Sequence, residues 1–457
     1  MGACGYFPLN DFSGKMKIKI KIGIVILSAL ITAICFFDKN QSQNDFLVLE
    51  KRIKIGDAYA SSSINVPIFR QSAIITTSAG KFCAYYDKNG NIRVSLIQPS
   101  GEISSFNIES KLPQNLLGDG HCTVSMGYTD DNNIHLVWGA HATKPRYFYF
   151  AASRENVDWL AQNPPVPEEW QDFITYPQFY NAEKTSLLFY RVDADIYVKE
   201  YERNSKQWKL KYGGPLLTAD GADSVYIDKL AIDGNFIRLS WVYRIASESD
   251  LVLNDGIYSI HSDDGGQTWR KSDEEAYNLP IKRGDVAKFV EIPENIGIIN
   301  QNASFVKNEL YCLSVLKQSE TTGLFQIYLY IFSKDRLLCL REISNNKYDF
   351  PLRGRGTLSL ALSRPSVAIS EKNIHVIYRQ NKTATIASVA IGGACADDWS
   401  YYHLPDLLGN WEPNFDPLAW SNDRTLAIYI QSARQGANDK MVAGPPAKAY
   451  LYEIKER

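Results

Sequence analysis

The sequence predicts an all-β fold, a seven-bladed β-propeller of small antiparallel sheets preceded by an N-terminal signal or anchor segment. Short aromatic and β-branched runs, broken by Asn, Asp and Gly, dominate the 457 residues. One strand pattern recurs seven times along the chain, and one of these units carries a hairpin motif typical of propellers. The 49 basic and 51 acidic residues nearly cancel, so bulk charge gives no support for a nucleic-acid-binding protein.

The N-terminus has the pattern of an export signal. Residues 17–21 alternate Lys and Ile, and residues 22–37 carry no charge. A basic stretch before a short apolar stretch is typical of a signal peptide or a signal anchor. We therefore expect a signal peptide or anchor at 1–37, a polar tether at 38–62 and a propeller domain at 63–457. The propeller is expected to be secreted or periplasmic, with residues 22–37 as its only possible membrane anchor.

The seven cysteines are scattered and form no Cys-x-x-Cys pair. This spacing argues against a disulfide framework or a zinc knuckle. Five of the cysteines fall in the expected propeller, where we expect them to be small buried apolar side chains. These five are Cys83, Cys122, Cys312, Cys339 and Cys395.

Each repeat is a polar turn followed by a strand rich in apolar and aromatic residues. The turns begin at Lys81, Asn133, Lys184, Asn235, Asn308, Asn373 and Asp423. Further strands begin at Ile92, Tyr147, Ile196, Ile257, Ile327 and Tyr450. One small sheet cannot bury both of its faces, but seven sheets in a ring can, so units of this size predict propeller blades.

Residues 262–269 match the Asp-box pattern Ser-x-Asp-x-Gly-x-Thr-Trp. Asp264 and Gly266 favour a tight hairpin turn, and Trp269 is expected to pack between strands. The motif is specific for propeller hairpins and predicts a structural role rather than a catalytic one.

Strands in a blade run up and down, so the loop from the second to the third strand shares a face with the start of the innermost strand. These loops contain Asp87, His141, Arg191, Arg244, Lys317 and Arg379. The inner strands start near Arg70, His121, Tyr176, Tyr226, Asn300, Gln301, Arg364 and Glu412. We expect both sets to line one axial mouth, whose positive charge suits a substrate carrying carboxylate or sulfate groups.

Two histidines stand out as candidates. His121 and His141 follow glycine-containing loops, whereas His135 and His375 lie inside strands and are expected to pack. Purely structural roles remain as alternatives: Tyr176 as an aromatic residue of the core, and Arg191 and Arg244 as members of surface ion pairs.

The chain resembles the BNR-repeat propeller family that includes the ulvan lyases, over about residues 65–430. The motifs that carry the resemblance are Ala84-Tyr-Tyr-Asp87, Asp119-Gly-His121, Trp138-Gly-Ala-His141, Thr175-Tyr-Pro-Gln178, Phe189-Tyr-Arg191, Gly214-Pro-Leu-Leu217, Leu239-Ser-Trp-Val-Tyr-Arg244, the Asp box and Ile299-Asn-Gln301. The resemblance implies β-elimination at a uronic acid within a sulfated polysaccharide.

The resemblance also implies roles for residues of the mouth. It places the chemistry on His121, His141, Tyr176 and Arg191. Arg191, with His141, suits the substrate carboxylate, while His121 and Tyr176 suit acid and base in an order left open. Substrate contacts are expected from Arg70, Arg244, Asn300, Arg364 and Arg379. No cofactor is required, structural calcium or zinc stays open, and we expect a monomer.

Two other functions compete with the lyase. A non-catalytic propeller that binds anionic glycans would use the same positive mouth. A sialidase-like glycoside hydrolase is suggested by the Asp box, but Pro67-Ile-Phe-Arg70 has the residues of the Phe-Arg-Ile-Pro signature in the wrong order. The mouth also offers no evident pair of carboxylates for hydrolysis.

Overall fold

The computed structural model describes residues 45–67, 72–182, 185–245, 253–272, 274–350, 360–436 and 439–457. Residues from Phe46 onward form one compact unit. The expected signal or anchor at 1–37 lies outside the described residues, as does Arg70. Among the helices that are described, none combines the length and the apolar character needed to cross a membrane.

The described chain folds into seven antiparallel sheets, which are the blades of a β-propeller, and the predicted fold is confirmed. Strand β1 (Leu47–Ala58) comes first in the chain but belongs to the last blade. Blade 1 contains β2 (Ile74–Thr77), β3 (Gly80–Tyr86), β4 (Ile92–Ile97) and β5 (Ile103–Ile108). Blade 2 contains β6 (Val124–Tyr128), β7 (Asn133–Trp138), β9 (Arg146–Ala151) and β10 (Glu168–Glu169), and the short β8 (His141–Thr143) between them in sequence pairs with the next blade.

The remaining blades follow in chain order. Blade 3 contains β11 (Ile174–Ala182), β12 (Thr185–Val192), β13 (Asp195–Glu202) and β14 (Gln207–Leu210). Blade 4 contains β15 (Ser224–Ile227), β16 (Ala231–Asp233), β17 (Phe236–Ile245), β18 (Leu253–Ser262) and β19 (Lys288–Val290). Blade 5 contains β20 (Ala303–Lys307), β21 (Leu310–Gln318), β22 (Phe325–Ser333) and β23 (Arg336–Glu342). Blade 6 contains β24 (Ser366–Ile369), β25 (Asn373–Gln380), β26 (Thr383–Ala390) and β27 (Ser400–Leu407), and blade 7 contains β28 (Thr425–Gln431), β29 (Ala447–Glu456) and β1.

The seven predicted repeats correspond to the second strands of the seven blades, and in blade 7 the inner position is taken by the segment at Phe415, which forms a single bridge with Ile428 of β28. These strands are buried on both faces because neighbouring blades pack against them. Strands β7 and β28 are buried along their whole length, whereas the outer strand β23 is largely exposed. Both faces of a middle strand are therefore apolar, as in sheets covered on both sides.

Blade 7 is completed by the N-terminal strand. Strand β1 runs antiparallel to β29 along nearly its full length, with Leu49 opposite Ile454 and Lys54 opposite Tyr450. The expected polar tether at 38–62 is therefore wrong for Leu47–Ala58, which is the outer strand of a blade. Its alternation of charged and apolar residues reflects one face against the blade and one face in solvent. The propeller begins at this strand rather than at residue 63.

A disulfide joins blades 5 and 6. Cys339 on β23 bonds to Cys395, which lies 56 residues further along the chain with a Cα–Cα distance of 5.8 Å. The expectation that all five propeller cysteines are unpaired is wrong for these two, since the ring brings together outer segments that are distant in sequence. Cys83, Cys122 and Cys312 are free and buried, as expected.

Three α-helices are described: α1 (Gln114–Gly118), α2 (Arg154–Gln162) and α3 (Pro417–Asp423). The Ser153 side chain caps α2 by accepting a hydrogen bond from the Asn156 backbone at 3.2 Å. Asp416 caps α3 in the same way, through the Leu418 backbone at 2.9 Å. Two 3₁₀ turns cover Arg283–Asp285 and Ile391–Gly393.

The Asp box is a structural hairpin, as the sequence predicts. The Asp264 carboxylate accepts hydrogen bonds from the backbone N–H groups of Gln267 and Thr268, each at 2.9 Å. Ser262 donates to the same carboxylate at 2.8 Å. The indole of Trp269 is 1% exposed and donates to the Tyr212 hydroxyl at 2.8 Å. The carboxylate thus holds the turn that places the indole in the core.

We expect Asp264→Ala to lower the free energy of unfolding by about 2 kcal/mol, because several turn donors lose one charged acceptor. Gln267→Ala is the matched control, since the Gln267 residue is exposed and contacts Asp264 through its backbone N–H, which the substitution keeps. It should change stability by less than about 0.5 kcal/mol. Chemical denaturation measures both, and equal effects of the two variants would contradict the structural role.

Candidate functional site

The four predicted catalytic side chains lie together at one axial mouth of the ring. His121 follows α1, and His141 begins β8. Strand β8 pairs with β11, with His141 opposite Thr175, and this pairing brings His141 beside Tyr176. Arg191 comes from the neighbouring strand β12, where it is the partner of Thr175. The sequence prediction of a shared location is therefore correct.

Asp119 holds the two histidines in place. One carboxylate oxygen lies 2.6 Å from Nδ1 of His121, and the other lies 2.5 Å from Nδ1 of His141. The imidazole rings stack with their centroids 4.3 Å apart. Because a carboxylate only accepts hydrogen bonds, we assign the proton of each neutral ring to Nδ1. Nε2 is then the nitrogen that can accept a proton.

The backbone of Tyr176 is held in an unusual conformation. Its φ is +55°, in the left-handed region that bulky residues rarely adopt. The register of β11 against β12 is interrupted between Thr175 and Gln178, so Tyr176 leaves the regular ladder. Its ring lies 5.8 Å from that of His121 and 6.2 Å from that of His141. This backbone conformation accompanies the placement of the phenol beside the two histidines.

Arg191 lies between two tyrosines. Its guanidinium carbon is 4.9 Å from the ring centre of Tyr176 and 4.7 Å from that of Tyr226. Tyr226 also contacts a second arginine, since the guanidinium carbon of Arg244 lies 4.9 Å from its ring centre. These spacings are those of cation–π contacts.

The ionisable groups of the mouth are shifted in different directions. Burial raises the pKa of Asp119, but hydrogen bonds from His121 and His141 outweigh it and hold the pKa well below its usual range. Burial raises the pKa of Tyr176. Burial also acts to raise the pKa of Tyr226, but the charges of nearby arginines, chiefly Arg191, leave it lower than usual. The two phenols therefore differ in acidity although they share one arginine.

Several polar atoms around Arg191 are buried and have no hydrogen-bond partner within the part of the chain that the structure describes. They are Nε and Nη1 of Arg191, Nε2 of Gln178 and Oε1 of Gln301. All three residues line a cavity of about 10 Å³ beneath the tyrosines. That volume is about what one water molecule needs. Arg191 therefore turns two of its nitrogens inward and influences the mouth mainly through its charge.

Three of the predicted substrate-binding residues form a network beside this cluster. Arg244 donates from Nε to Asn254 at 3.0 Å and from Nη2 to the Asn300 side chain at 3.4 Å. Arg364 donates from Nε to the Asn300 carbonyl at 2.8 Å and forms an ion pair with Glu412 at 2.9 Å. Asn300, just before β20 of blade 5, thus connects an arginine of blade 4 with one that precedes β24 of blade 6.

Arg379 does not belong to this network. Its side chain is 5% exposed and donates to the backbone carbonyls of Trp411, Ala361 and Leu360. Burial lowers the pKa of Arg379 to about 10. The structure thus assigns its guanidinium to loop carbonyls, and the expectation of a substrate contact finds no support. The sequence placed it in the correct loop but could not show which way the side chain points.

The strand histidines pack as the sequence predicts. His135 is buried, with Nδ1 2.8 Å from the Tyr147 hydroxyl and Nε2 3.0 Å from the Thr129 hydroxyl. His375 is buried as well, with Nδ1 2.8 Å from the Ser388 hydroxyl.

Two groups of possible metal ligands are present among the described residues. The first is Asp119 with His121 and His141. The close approach of these three side chains is explained by the hydrogen bonds between the carboxylate and the two Nδ1 atoms. The second is His261 with Asp263 and Glu274, beside the Asp box. The His261 nitrogen lies 3.8 Å from the Asp263 carboxylate and 3.6 Å from that of Glu274. One nitrogen and two carboxylates suit zinc better than calcium, which binds oxygen ligands, and a structural metal at this place stays a prediction.

Sequence reasoning missed the roles of Asp119 and Tyr226. In the sequence, Asp119 is singled out only as the first residue of the motif Asp119-Gly-His121, although an Asp two residues before a loop histidine could have signalled a hydrogen-bonding partner. Tyr226 was placed at the start of its inner strand, in the position that Tyr176 has in the preceding blade. The matching positions of Tyr176 and Tyr226 in successive blades are the signal that could have identified Tyr226 as a residue of the mouth.

Solved structures with the same architecture include polysaccharide lyases. The polysaccharide lyase Uly1 is 16% identical, with a TM-score of 0.62, and the match covers 89% of this chain and 99% of that one. An ulvan lyase assigned to a new polysaccharide lyase family, PL25, is 13% identical with a TM-score of 0.64, over 88% of this chain and 96% of that one. The same fit is found for an ulvan lyase of that family bound to -[GlcA(1-4)Rha3S]-. At these identities the likeness establishes the fold.

No curated protein matches the sequence. The model of a BNR repeat-containing family member matches residues 80–340, which is more than half of the chain. This match covers the blades that carry the histidine pair, both mouth tyrosines, Arg191 and the Asp box. The chain therefore belongs to the BNR repeat-containing family.

Proposed function

We propose that the protein is a polysaccharide lyase that cleaves an anionic, ulvan-like uronic-acid polysaccharide by β-elimination. The observation that carries the proposal is the cluster at the mouth, in which a histidine pair oriented by Asp119 lies beside Tyr176 and Arg191. The fold shared with the two polysaccharide lyases supports it.

The substrate class follows from charge and from the bound neighbour. The mouth gathers Arg191, Arg244 and Arg364 around the tyrosines, against a protein whose formal net charge is only −2. Positive charge concentrated in a cleft attracts an anionic chain. One structural neighbour binds a glucuronate-containing sulfated disaccharide repeat. We therefore propose glucuronate or a related uronate next to a sulfated sugar.

The first requirement of the reaction is to stabilise negative charge at the carboxylate. Removal of the C5 proton moves electrons toward the carboxylate, so positive charge and donors at that group lower the barrier. We assign this role to Arg191 and His141. The His141 side chain is 32% exposed and can reach a bound sugar, while Arg191 acts from below through its charge.

The second requirement is a pair of proton-transfer groups. The base takes the C5 proton, its electrons form the C4–C5 double bond, the bond from C4 to the leaving oxygen breaks, and the acid protonates that oxygen. We assign these steps to His121 and Tyr176, whose rings are 5.8 Å apart. The raised pKa of Tyr176 suits a phenol that holds its proton until the leaving oxygen needs it. Tyr226, with its lowered pKa, is the alternative phenol for the base role.

The disulfide bears on the compartment. Structural disulfides persist in oxidising compartments and are rare in the cytosol. The bond between Cys339 and Cys395 supports the proposal that the propeller is exported, secreted or periplasmic. Residues 22–37 then act as a cleaved signal or a retained anchor.

We expect the folded protein to generate unsaturated uronate from ulvan. The elimination creates a conjugated double bond, so ultraviolet absorbance rises as chains are cut. A panel of other uronate polysaccharides, sulfated and unsulfated, serves as the comparison. Binding of ulvan without any rise in absorbance across the panel would favour a glycan-binding propeller, and new reducing ends without absorbance would favour a hydrolase.

We expect His121→Ala and Tyr176→Phe each to lower kcat about 100-fold or more, because each removes a proton-transfer group. Tyr149→Phe is the control, since Tyr149 is 38% exposed on blade 2. Initial rates on ulvan measure all three. If Tyr176→Phe keeps full activity and Tyr226→Phe loses it, the phenol that transfers the proton is that of Tyr226.

We expect Asp119→Asn to lower kcat about 100-fold with a smaller change in KM, because an amide cannot accept hydrogen bonds from both Nδ1 atoms. Asp130→Asn, which removes a surface partner of Arg203, is the control. An unchanged kcat in Asp119→Asn would show that Asp119 does not orient the pair.

A further inference from the structure

A second cavity lies at the opposite axial end of the ring. Its volume is about 380 Å³, far larger than the cavity beneath the tyrosines. Its walls include the last residues of inner strands whose beginnings lead from the mouth: Tyr128 on β6, Asp233 on β16 and Lys307 on β20. Asn181, Gly234 and Ser421 line it as well and are exposed, so the cavity opens to solvent.

A buried lysine lines this cavity. Lys229 is only 9% exposed, and its backbone is fixed by hydrogen bonds to the blade 5 segment at Asn302 and Ser304. Its ammonium lies 4.4 Å from the ring centre of Phe415. Across the described residues, no hydrogen bond or ion pair to this ammonium is present. A charge on a side chain this buried keeps little of its hydration, so an anion beside it is favoured.

The other charged groups of the wall already have partners. The Asp416 carboxylate caps α3 through Leu418 and also accepts from the Thr76 hydroxyl. Lys307 lies 3.8 Å from Glu371. Asp233 accepts a hydrogen bond from the Asn308 backbone at 2.8 Å. The Asp416 charge also favours the protonated form of Lys229, but Asp416 is engaged by Thr76 and α3, which leaves the Lys229 ammonium to a ligand.

The remaining wall is apolar and aromatic. Phe179, Phe305, Ile75 and Leu230 face the space around Lys229. Aromatic and aliphatic walls bury the body of a ligand, and a few polar groups fix its orientation. One ammonium with no arginine fork beside it matches a singly charged group better than a phosphate or sulfate, which recruits several donors.

We propose that this cavity is a second ligand site, separate from the catalytic mouth, that binds a small carboxylate with an apolar ring against Phe179 and Phe305. The carboxylate lies at the Lys229 ammonium. Burial lowers the pKa of Lys229 to about 8, so the ammonium is mostly protonated at neutral pH. The site does not depend on the proposed lyase activity, because its ligand enters from the other face of the ring.

Binding of benzoate tests the site, with benzyl alcohol as the uncharged comparison. Titration calorimetry on the full chain should show benzoate binding and at least about tenfold weaker binding of benzyl alcohol, since a charge-assisted hydrogen bond is lost. Lys229→Met should weaken benzoate binding by about the same factor. Lys307→Met, which removes the rim lysine paired with Glu371, is the matched control and should leave the affinity within about twofold.

Folding of the variants and the position of the ligand complete the test. Lys229→Met and Lys229→Gln are both compared with wild type by thermal unfolding, and whichever retains the wild-type melting behaviour is used for binding. Crystals of the wild-type protein soaked with 4-bromobenzoate should place the bromine inside the cavity and the carboxylate at hydrogen-bonding distance from the Lys229 nitrogen. Absence of benzoate binding by wild type, undiminished binding by the Lys229 variant, or bromine outside the cavity would overturn the proposal.

Discussion

Closure of the ring is the constraint on which the rest of the structure depends. A blade is apolar on both faces, so each one is stable only when two neighbours cover it. Blade 7 meets this demand with strands from both ends of the chain, β28 and β29 from the C-terminal end and β1 from the N-terminal end. The ring in turn brings together the mouth residues, which come from four different loops and strands.

Within that frame, one carboxylate organises the proposed chemistry. Asp119 is shared between two histidines, and the sharing fixes both rings side by side. Arg191 has a comparable effect on the tyrosines, since its charge lies against both phenols. The mouth is thus two small assemblies in contact, a histidine pair around an anion and a tyrosine pair around a cation. Proton transfer between such groups needs fixed geometry, and these contacts supply it.

The fold could be predicted because its signals are local and repeated. Turn residues, strand residues and the Asp box recur at blade spacing, and the second strand of every blade was located correctly. The mouth could be predicted because strand direction determines which loops share a face. Side-chain direction could not be predicted in the same way: Arg379 turns to loop carbonyls and Arg191 turns two nitrogens inward. Contacts between segments that are distant in sequence could not be predicted either. The bond between Cys339 and Cys395 and the pairing of β1 with β29 are two examples.

The pairing of β1 with β29 has a consequence for how the molecule is made. Of the strands of blade 7, β1 is synthesised first and β29 last. The edge of β1 therefore stays unpaired while the other six blades are made. An unpaired edge is a site for association with other chains. Charged residues, among them Lys51 and Lys54, stand between the apolar residues of β1. Their charge opposes association of the unpaired strand with other chains before β29 is made. The ten residues of β29 thus decide when the seventh blade closes the ring.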